Sequence, residues 1–166
     1  MEKKNFIIAV YVDNKAGVLT RVSAMFTRRG FNIDTLTGGE TERPEYSRIT
    51  ISVSGDDYVK EQMVNQLKKL VVVKKVEVLK EEPLKRELML IKVCNDSSKR
   101  SDIMTAVDVF RANVIDYSPE SMCVEVTGSP SKIDAFVKLM QPFGILEMCR
   151  TGIVALDRGS KTLFTE

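Results

Sequence analysis

The hydrophobic pattern of the chain occurs twice, and this repetition constrains the fold more than any other feature. In the first half, strand-like alternation changes to helical spacing, and then to two strands, a helix and a final strand. Beyond residue 85 the same order begins again. Two copies predict an α+β protein of two tandem ferredoxin-like (βαββαβ) domains. Each domain would be a four-stranded antiparallel sheet with two helices on one face.

The elements follow from local spacing, and a charged, proline-containing stretch around Pro83 marks the predicted domain boundary. The predicted domains are therefore 1–80 and 86–166, joined by a linker at 81–85. The predicted strands are 4–12, 31–40, 47–54 and 71–79, then 87–94, a short strand at 114–115, 122–127 and 145–150. The predicted helices are 17–29, 57–70 with its cap at Gly55-Asp56-Asp57, 98–110 and a last helix from about 130 to 140.

A unit of about 80 residues buries only a modest core, and such a sheet leaves one face and its edge strands open. We therefore expect an obligate oligomer. Gly38 and Gly39 weaken the predicted strand 31–40 and indicate a β-bulge in it.

Composition excludes several classes of function. A net charge of +2 lacks the basic surplus that nucleic-acid binding normally requires. The longest apolar run near the start is too short for a signal peptide or a membrane span, so we expect a cytoplasmic protein without a membrane partner. Histidine, the commonest proton-transfer group and metal ligand, is absent. The three cysteines form no Cys-x-x-Cys motif, so we expect buried thiols in a reducing cytosol and no metal site.

Two common functions of ferredoxin-like domains do not suit the first unit. An RNA-recognition domain stacks bases on aromatic residues of its central strands, and strand 47–54 contains none. A metal chaperone would carry paired cysteines in the first strand–helix loop, and this loop has none.

The first strand–helix loop is the best candidate for a ligand site. The first N–H groups of a helix lack intrahelical partners and favour a carboxylate. Gly17 allows close approach to the backbone, and the Asn14 amide offers both a donor and an acceptor, which suits a free amino acid. From these residues alone, a helix cap at Asn14 and a turn at Gly17 are the more common roles, and Asn32 is better explained as a turn residue after Gly30.

Several motifs along nearly the whole chain resemble the acetolactate synthase (acetohydroxyacid synthase) small-subunit family, whose first domain is an ACT domain. They are Asn14-Lys15-Ala16-Gly17-Val18-Leu19-Thr20-Arg21-Val22, Phe26-Thr27-Arg28-Arg29-Gly30-Phe31-Asn32-Ile33, Ser47-Arg48-Ile49-Thr50-Ile51, Arg86-Glu87-Leu88-Met89-Leu90-Ile91-Lys92-Val93, Lys132-Ile133-Asp134-Ala135-Phe136 and Arg150-Thr151-Gly152-Ile153-Val154-Ala155-Leu156-Asp157-Arg158-Gly159.

The resemblance implies that 1–80 is an ACT regulatory domain that pairs with a second copy, in a homodimer or higher oligomer. It also implies that valine, or another branched-chain amino acid, binds at the seam. The implied effector-binding residues are Asn14, Lys15, Ala16, Gly17, Val18 and Leu19 of one chain, with Asn32 and Ile33 of the facing chain.

The resemblance further implies a regulatory subunit without an active site of its own. It would activate a large catalytic subunit and make that subunit sensitive to feedback inhibition in branched-chain amino-acid biosynthesis. Thiamine diphosphate, Mg²⁺ and FAD would belong to the catalytic subunit, and this chain would hold no cofactor. Two other classes stay open: a free-standing ACT sensor that controls a transcription factor or another enzyme, and a small enzyme on a ferredoxin-like scaffold.

Overall fold

A computed structural model describes residues 4–80 and 82–164. These residues form two compact units, the first from 4–84 together with 153–164 and the second from Lys85–Gly152. The predicted linker residue Glu81 and the outermost residues of both predicted domains, 1–3 and 165–166, lie outside the described residues.

The first unit has the predicted strand, helix, strand, strand, helix, strand order. The elements are β1 (Lys4–Asp13), α1 (Val18–Arg29), β2 (Thr35–Glu40), β3 (Tyr46–Gly55), α2 (Asp57–Lys68) and β4 (Val73–Val78). The strands form one antiparallel sheet in the order β2-β3-β1-β4, which leaves β2 and β4 at the edges.

The core of this unit lies between the sheet and both helices. Alternation in β1 turns Ile8, Val10 and Val12 toward the helices, and the apolar stripe of α1 meets them with Val22 and Phe26, all five nearly inaccessible to solvent. The Asp56 side chain caps α2 by accepting a 2.8 Å bond from the Val59 N–H, as the sequence predicts.

The second unit repeats this architecture. Its elements are β5 (Leu84–Cys94), α3 (Arg100–Val109), β6 (Asn113–Tyr117), β7 (Ser121–Gly128), α4 (Pro130–Met140), a 3-10 turn (Gln141–Phe143) and β8 (Ile145–Arg150). The strands are arranged in the order β6-β7-β5-β8. An ion pair between buried Glu87 and Arg150 (2.5 Å) joins the start of β5 to the end of β8, and Arg150 also binds Asp134 on α4 at 2.7 Å.

The C-terminal segment 153–164, which includes the short strand β9 (Val154–Leu156), returns to the first unit. Its Ala155 and Leu163 are buried against Ile7, Tyr11 and Leu79, on the sheet face opposite the helices. This corrects two predictions: the first sheet does not leave that face open, and the second unit does not extend through 166. Apolar residues of segment 153–164, hereafter the tail, cover the apolar residues of β1 that point away from the helices. The hydrophobic periodicity of either segment alone does not show that the two meet.

Two ionisable groups lie on this covered face. Burial raises the pKa of Tyr11 above its usual 10.0, and the Glu42 charge acts in the same direction. Burial also lowers the pKa of Arg48, whose guanidinium donates a 2.7 Å hydrogen bond to the Ala155 carbonyl. The tail is therefore held by a polar contact as well as by apolar ones.

Two other predictions about particular residues were wrong. The register of β2 with β3 runs without a shift from Thr35 opposite Ser52 to Glu40 opposite Ser47, so Gly38 and Gly39 form no bulge. None of the three cysteines is buried as predicted: Cys94 and Cys123 are half-buried and Cys149 is exposed. Cys149 lies opposite Leu90 on the face of the second sheet that points away from the helices.

Candidate ligand site at the first strand–helix loop

The loop between β1 and α1 is shaped by a glycine at the helix start. β1 ends at Asp13, which forms an ion pair with Lys74 (3.2 Å). Gly17 is the N-cap of α1 with φ 82°, a left-handed conformation that side-chain-bearing residues rarely adopt, and it supplies no side-chain cap. A Cβ placed there would meet nothing within 4 Å. The backbone at Gly17 is therefore open to an approaching molecule.

Helix α1 presents unsatisfied donors beside this glycine. Its first i→i−4 bond runs from the Arg21 N–H to the Gly17 carbonyl (3.1 Å), and the Val18 N–H makes only a long 3.4 Å bond to the Lys15 carbonyl. The N–H groups of Leu19 and Thr20 precede that first bond, as at every helix N-terminus. No acidic residue lies in the first turn, so the partial positive charge of the helix is available to an anion.

The side chains of the loop divide into outward and inward sets. Lys15 and Ala16 are exposed, and Leu19 is 54% exposed. Val18 is only 5% exposed and belongs to the core, so only its backbone can take part in a site at this surface.

The Asn14 side chain is already fully used as a donor within the chain. Its amide donates to Glu40 Oε1 and to the Pro44 carbonyl, both at 2.9 Å, and its carbonyl accepts from Ser47 Oγ at 3.0 Å. The backbone N–H of Asn14 also donates to the Glu45 carbonyl (2.9 Å). Asn14 thus fastens the β2–β3 turn to the end of β1, a role that the sequence did not indicate.

Asn32 differs from Asn14 in both backbone and contacts. Arg111 is the only non-glycine residue with positive φ in the described chain, so Asn32 is not the left-handed turn residue that its position after Gly30 suggested. Its side chain is exposed and makes no hydrogen bond within the described residues. Neither the fold of the backbone nor an internal contact therefore requires asparagine at this position.

One chain does not bring the two halves of the predicted site together. Asn32 and Ile33 precede the start of β2, whereas Asn14 contacts Glu40 at its end. The strand between them spans roughly 17 Å at about 3.3 Å per residue. The predicted residues Asn14, Lys15, Ala16, Gly17, Val18 and Leu19 thus form one group, and Asn32 and Ile33 form another.

The residues of the β2–β3 turn were missed by sequence reasoning, although the second unit holds a clue. Asn95 follows β5 as Asn14 follows β1, and its N–H donates to the Glu120 carbonyl (3.0 Å) in the β6–β7 turn. Its amide donates to the Ser118 carbonyl (2.6 Å) and accepts from Arg100 Nε (2.8 Å). An asparagine at the equivalent position of both units indicates a structural role, which is to hold the neighbouring β-hairpin.

Neither a metal site nor a membrane-spanning helix is found among the residues that the structure describes. Among them, no three His, Cys, Asp or Glu side chains are grouped so that they could hold a metal ion. No helix in 4–80 or 82–164 is long and apolar enough to cross a membrane.

Comparison with known proteins assigns the family. A model of the acetolactate synthase small-subunit-like ACT domain (AHAS small subunit-like) matches residues 8–75, and a model named "small subunit of acetolactate synthase" matches 86–159. A probable acetolactate synthase small subunit of Archaeoglobus fulgidus is 50% identical over 154 residues, covering 93% of this chain and 97% of that protein. An acetolactate synthase small subunit of Mycobacterium bovis is 48% identical and covers 99% of both chains.

The solved structures agree. The crystal structure of the acetolactate synthase small subunit from Thermotoga maritima superimposes with a TM-score of 0.89 at 42% identity, covering 95% of this chain and 99% of that one. The predicted resemblance and the tandem ferredoxin-like fold are thereby confirmed. This chain belongs to the acetolactate synthase small-subunit family, and its first unit is an ACT domain.

Proposed function

We propose that this protein is the regulatory partner of an acetolactate synthase catalytic subunit, which it activates. It binds valine or another branched-chain amino acid at a seam between two ACT domains and thereby confers feedback inhibition. The reaction and its cofactors, thiamine diphosphate, Mg²⁺ and FAD, belong to the catalytic subunit. Family membership supports the regulatory role, and the position of β2 in the sheet supports the shared site.

The observation that carries the proposal is that β2 is an edge strand with one half of the site at each end. When two copies are related by a two-fold axis, their β2 strands lie side by side and run in opposite directions. The start of one strand then faces the end of the other. Asn32 and Ile33 of one copy would therefore approach the Asn14 loop of the second copy, giving two equivalent sites.

The groups in such a seam suit the parts of a branched-chain amino acid. The N–H groups at the start of α1 favour its carboxylate. Its ammonium group can donate hydrogen bonds to Glu40 Oε1 and to the second lone pair of Asn14 Oδ1. Exposed Leu19 and half-buried Ile33 offer aliphatic surface for its side chain. A zwitterion bound in this way needs no net protein charge.

A ligand at this seam regulates by favouring one arrangement of the two chains over another, because only differential affinity shifts an equilibrium. A coupling free energy of about 1–3 kcal/mol is the usual scale for such effects. Because the proposal assigns the reaction to a separate catalytic subunit, the effector acts by changing how the regulatory dimer engages that subunit.

A complementation experiment tests whether the site is shared. Gly17→Asp damages the loop half of the site and Asn32→Ala damages the strand half, so each variant alone should lose valine binding in calorimetric titration. In a heterodimer of the two variants, one site carries both changes and the other carries neither. After random exchange of chains, about a quarter of all sites should therefore bind with normal affinity.

The outcomes are distinct. Recovery of binding on mixing supports a site built from two chains, whereas loss of binding without recovery would contradict it. If valine, leucine and isoleucine all fail to bind the wild-type chain, alone and in complex with its catalytic subunit, the effector proposal is wrong. Activation of the purified catalytic subunit by the wild-type chain tests the regulatory role separately.

A further inference from the structure

The β2–β3 turn, residues 40–47, is held from two sides. Asn14 binds it from the strand–helix loop through Glu40, the Pro44 carbonyl and Ser47. Phe164, near the C-terminus, holds it from the covered face of the sheet. The Phe164 ring lies 4.1 Å below the Arg43 guanidinium and 6.1 Å from the Tyr46 ring.

The turn is also cross-linked by hydrogen bonds of its own. The Tyr46 N–H donates to the Arg43 carbonyl (2.9 Å), and the Thr41 N–H donates to the Tyr46 carbonyl (3.2 Å). The Thr41 hydroxyl lies within hydrogen-bonding distance of both carbonyls, at 3.0 and 3.1 Å. A displacement on the Asn14 side therefore moves Arg43 and Tyr46, which contact Phe164.

We propose that this turn couples the effector site to the C-terminal segment 153–164, so that an effector bound at Asn14 loosens the docked tail. Glu40 Oε1 already accepts a hydrogen bond from the Asn14 amide, so an effector ammonium group that binds this oxygen competes with Asn14 and weakens its attachment to the turn. The direction of the coupling rests on the proposed function, but the mechanical connection between Asn14 and Phe164 does not.

The tail is suited to respond because much of it is held by exposed polar contacts. The Arg158 guanidinium donates to the Glu82 carbonyl at 3.2 Å, and Lys161 forms an ion pair with Glu77. Exposed ion pairs contribute little to stability. The Phe164 ring, which also packs edge-on against Tyr11 at 4.3 Å, therefore holds the end of the tail together with buried Leu163.

Limited trypsin digestion, read by mass spectrometry, tests the connection without any ligand. Cleavage after Arg158 and Lys161 reports the population of undocked tail when opening is fast relative to cleavage. Asn14→Ala should raise these rates about fivefold. This is the change in the ratio of undocked to docked tail that corresponds to the net contribution of one hydrogen bond. Phe164→Ala should raise them too and validates the assay, and all rates are normalised to cleavage within Lys85–Gly152.

Asn5→Ala is the matched control. Asn5 lies at the other end of β1, and its side-chain carbonyl accepts a 2.6 Å hydrogen bond from the Ser54 hydroxyl on β3. Asn5→Ala therefore also removes an asparagine hydrogen bond to β3, but at a place far from the β2–β3 turn. Equal tail cleavage in Asn14→Ala and Asn5→Ala would overturn the proposal. A selective increase in Asn14→Ala would support it.

The effector arm adds valine at a concentration that calorimetry shows to be saturating. Faster tail cleavage with valine supports the proposed direction, and unchanged or slower cleavage with valine bound refutes it. If calorimetry shows no binding of valine, leucine or isoleucine, either to the chain alone or to its complex with the catalytic subunit, the effector proposal is wrong. The comparison of Asn14→Ala with Asn5→Ala still decides the mechanical connection.

Discussion

Gly17→Asp should weaken effector binding about 5- to 150-fold while leaving the fold nearly intact. Gly17 has φ 82° and Gly30 has φ 67°, at opposite ends of α1, and a Cβ at either would meet nothing within 4 Å. A side chain would therefore fit at either position, but a residue that carries one would be strained by the left-handed backbone conformation. Gly30→Asp is a matched control with the same new residue, the same class of backbone conformation and the same helix.

The two changes should differ in stability. A left-handed conformation costs a side-chain-bearing residue roughly 1–2 kcal/mol, with Asp and Asn near the low end. An aspartate at the start of a helix recovers about 0.3–1 kcal/mol from the dipole, and one at the end loses a similar amount. We expect Gly17→Asp to cost about 1 kcal/mol or less and Gly30→Asp about 2 kcal/mol. At this chain length each kcal/mol lowers Tm by about 2–4 °C.

Binding should show the opposite order. Two carboxylates 4 Å apart repel by about 4 kcal/mol at an effective dielectric constant of 20, and solvent at exposed Gly17 reduces this. A remaining penalty of about 1–3 kcal/mol weakens the effector Kd about 5- to 150-fold. Gly17→Asn adds similar bulk without charge, so the difference in Kd between Gly17→Asn and Gly17→Asp measures the electrostatic part.

Thermal unfolding and calorimetric titration of all three variants are the assays, followed by valine inhibition of the reconstituted holoenzyme. Gly30→Asp should keep wild-type affinity in spite of its lower Tm. Retention of wild-type valine affinity by Gly17→Asp would show that the effector carboxylate does not lie at the start of α1. Loss of affinity in Gly30→Asp as well would assign the effect to general destabilisation.

Three other changes test separate parts of the structure. Gly39→Lys should dissociate the oligomer without unfolding the chain, because a Cβ at Gly39 meets nothing within 4 Å and a lysine on an edge strand blocks pairing; sedimentation analysis with Gly39→Ala as control checks this. Glu87→Gln should lower the free energy of unfolding by about 2 kcal/mol in urea titrations, because it removes a charged partner from Arg150; a loss below about 0.5 kcal/mol would contradict a structural role for the pair. Since burial raises the pKa of Tyr11 in the folded state, the unfolded chain loses that proton first as the pH rises. The contribution of Tyr11 to stability should therefore be constant below about pH 10 and fall above it, and Tyr11→Phe should flatten this alkaline decline in pH-dependent unfolding measurements.

Much of the fold was predictable because its signals are local. Strand alternation and helical spacing act over a few residues, and they correctly predicted the order of elements in both units. The Asp56 cap and the glycine at the start of α1 were predictable for the same reason. The predicted strand 31–40 was too long, since β2 begins only at Thr35, because the polar residues before it carry no clear alternation.

The candidate site was predictable only in part. Gly17 and its loop stand out because a glycine after a strand and before a helix has a specific backbone meaning. The engagement of Asn14 was not visible, since its partners Glu40, Pro44 and Ser47 lie 26, 30 and 33 positions away. Nor did local pattern separate Asn14 from Asn32, which lie near opposite ends of the same edge strand.

The sequence by itself determined the class of fold, the presence of two similar domains in one chain and the family of this protein. These features follow from short-range periodicity and from motifs that are contiguous in the chain. Only the tertiary structure decided that residues 153–164 cover the first sheet, that Asn14 is bound to the β2–β3 turn, and that Asn32 cannot reach Asn14 within one chain. Each of these depends on which distant segments meet. That is set by the burial of apolar faces over the whole unit, and no local stretch of sequence encodes it.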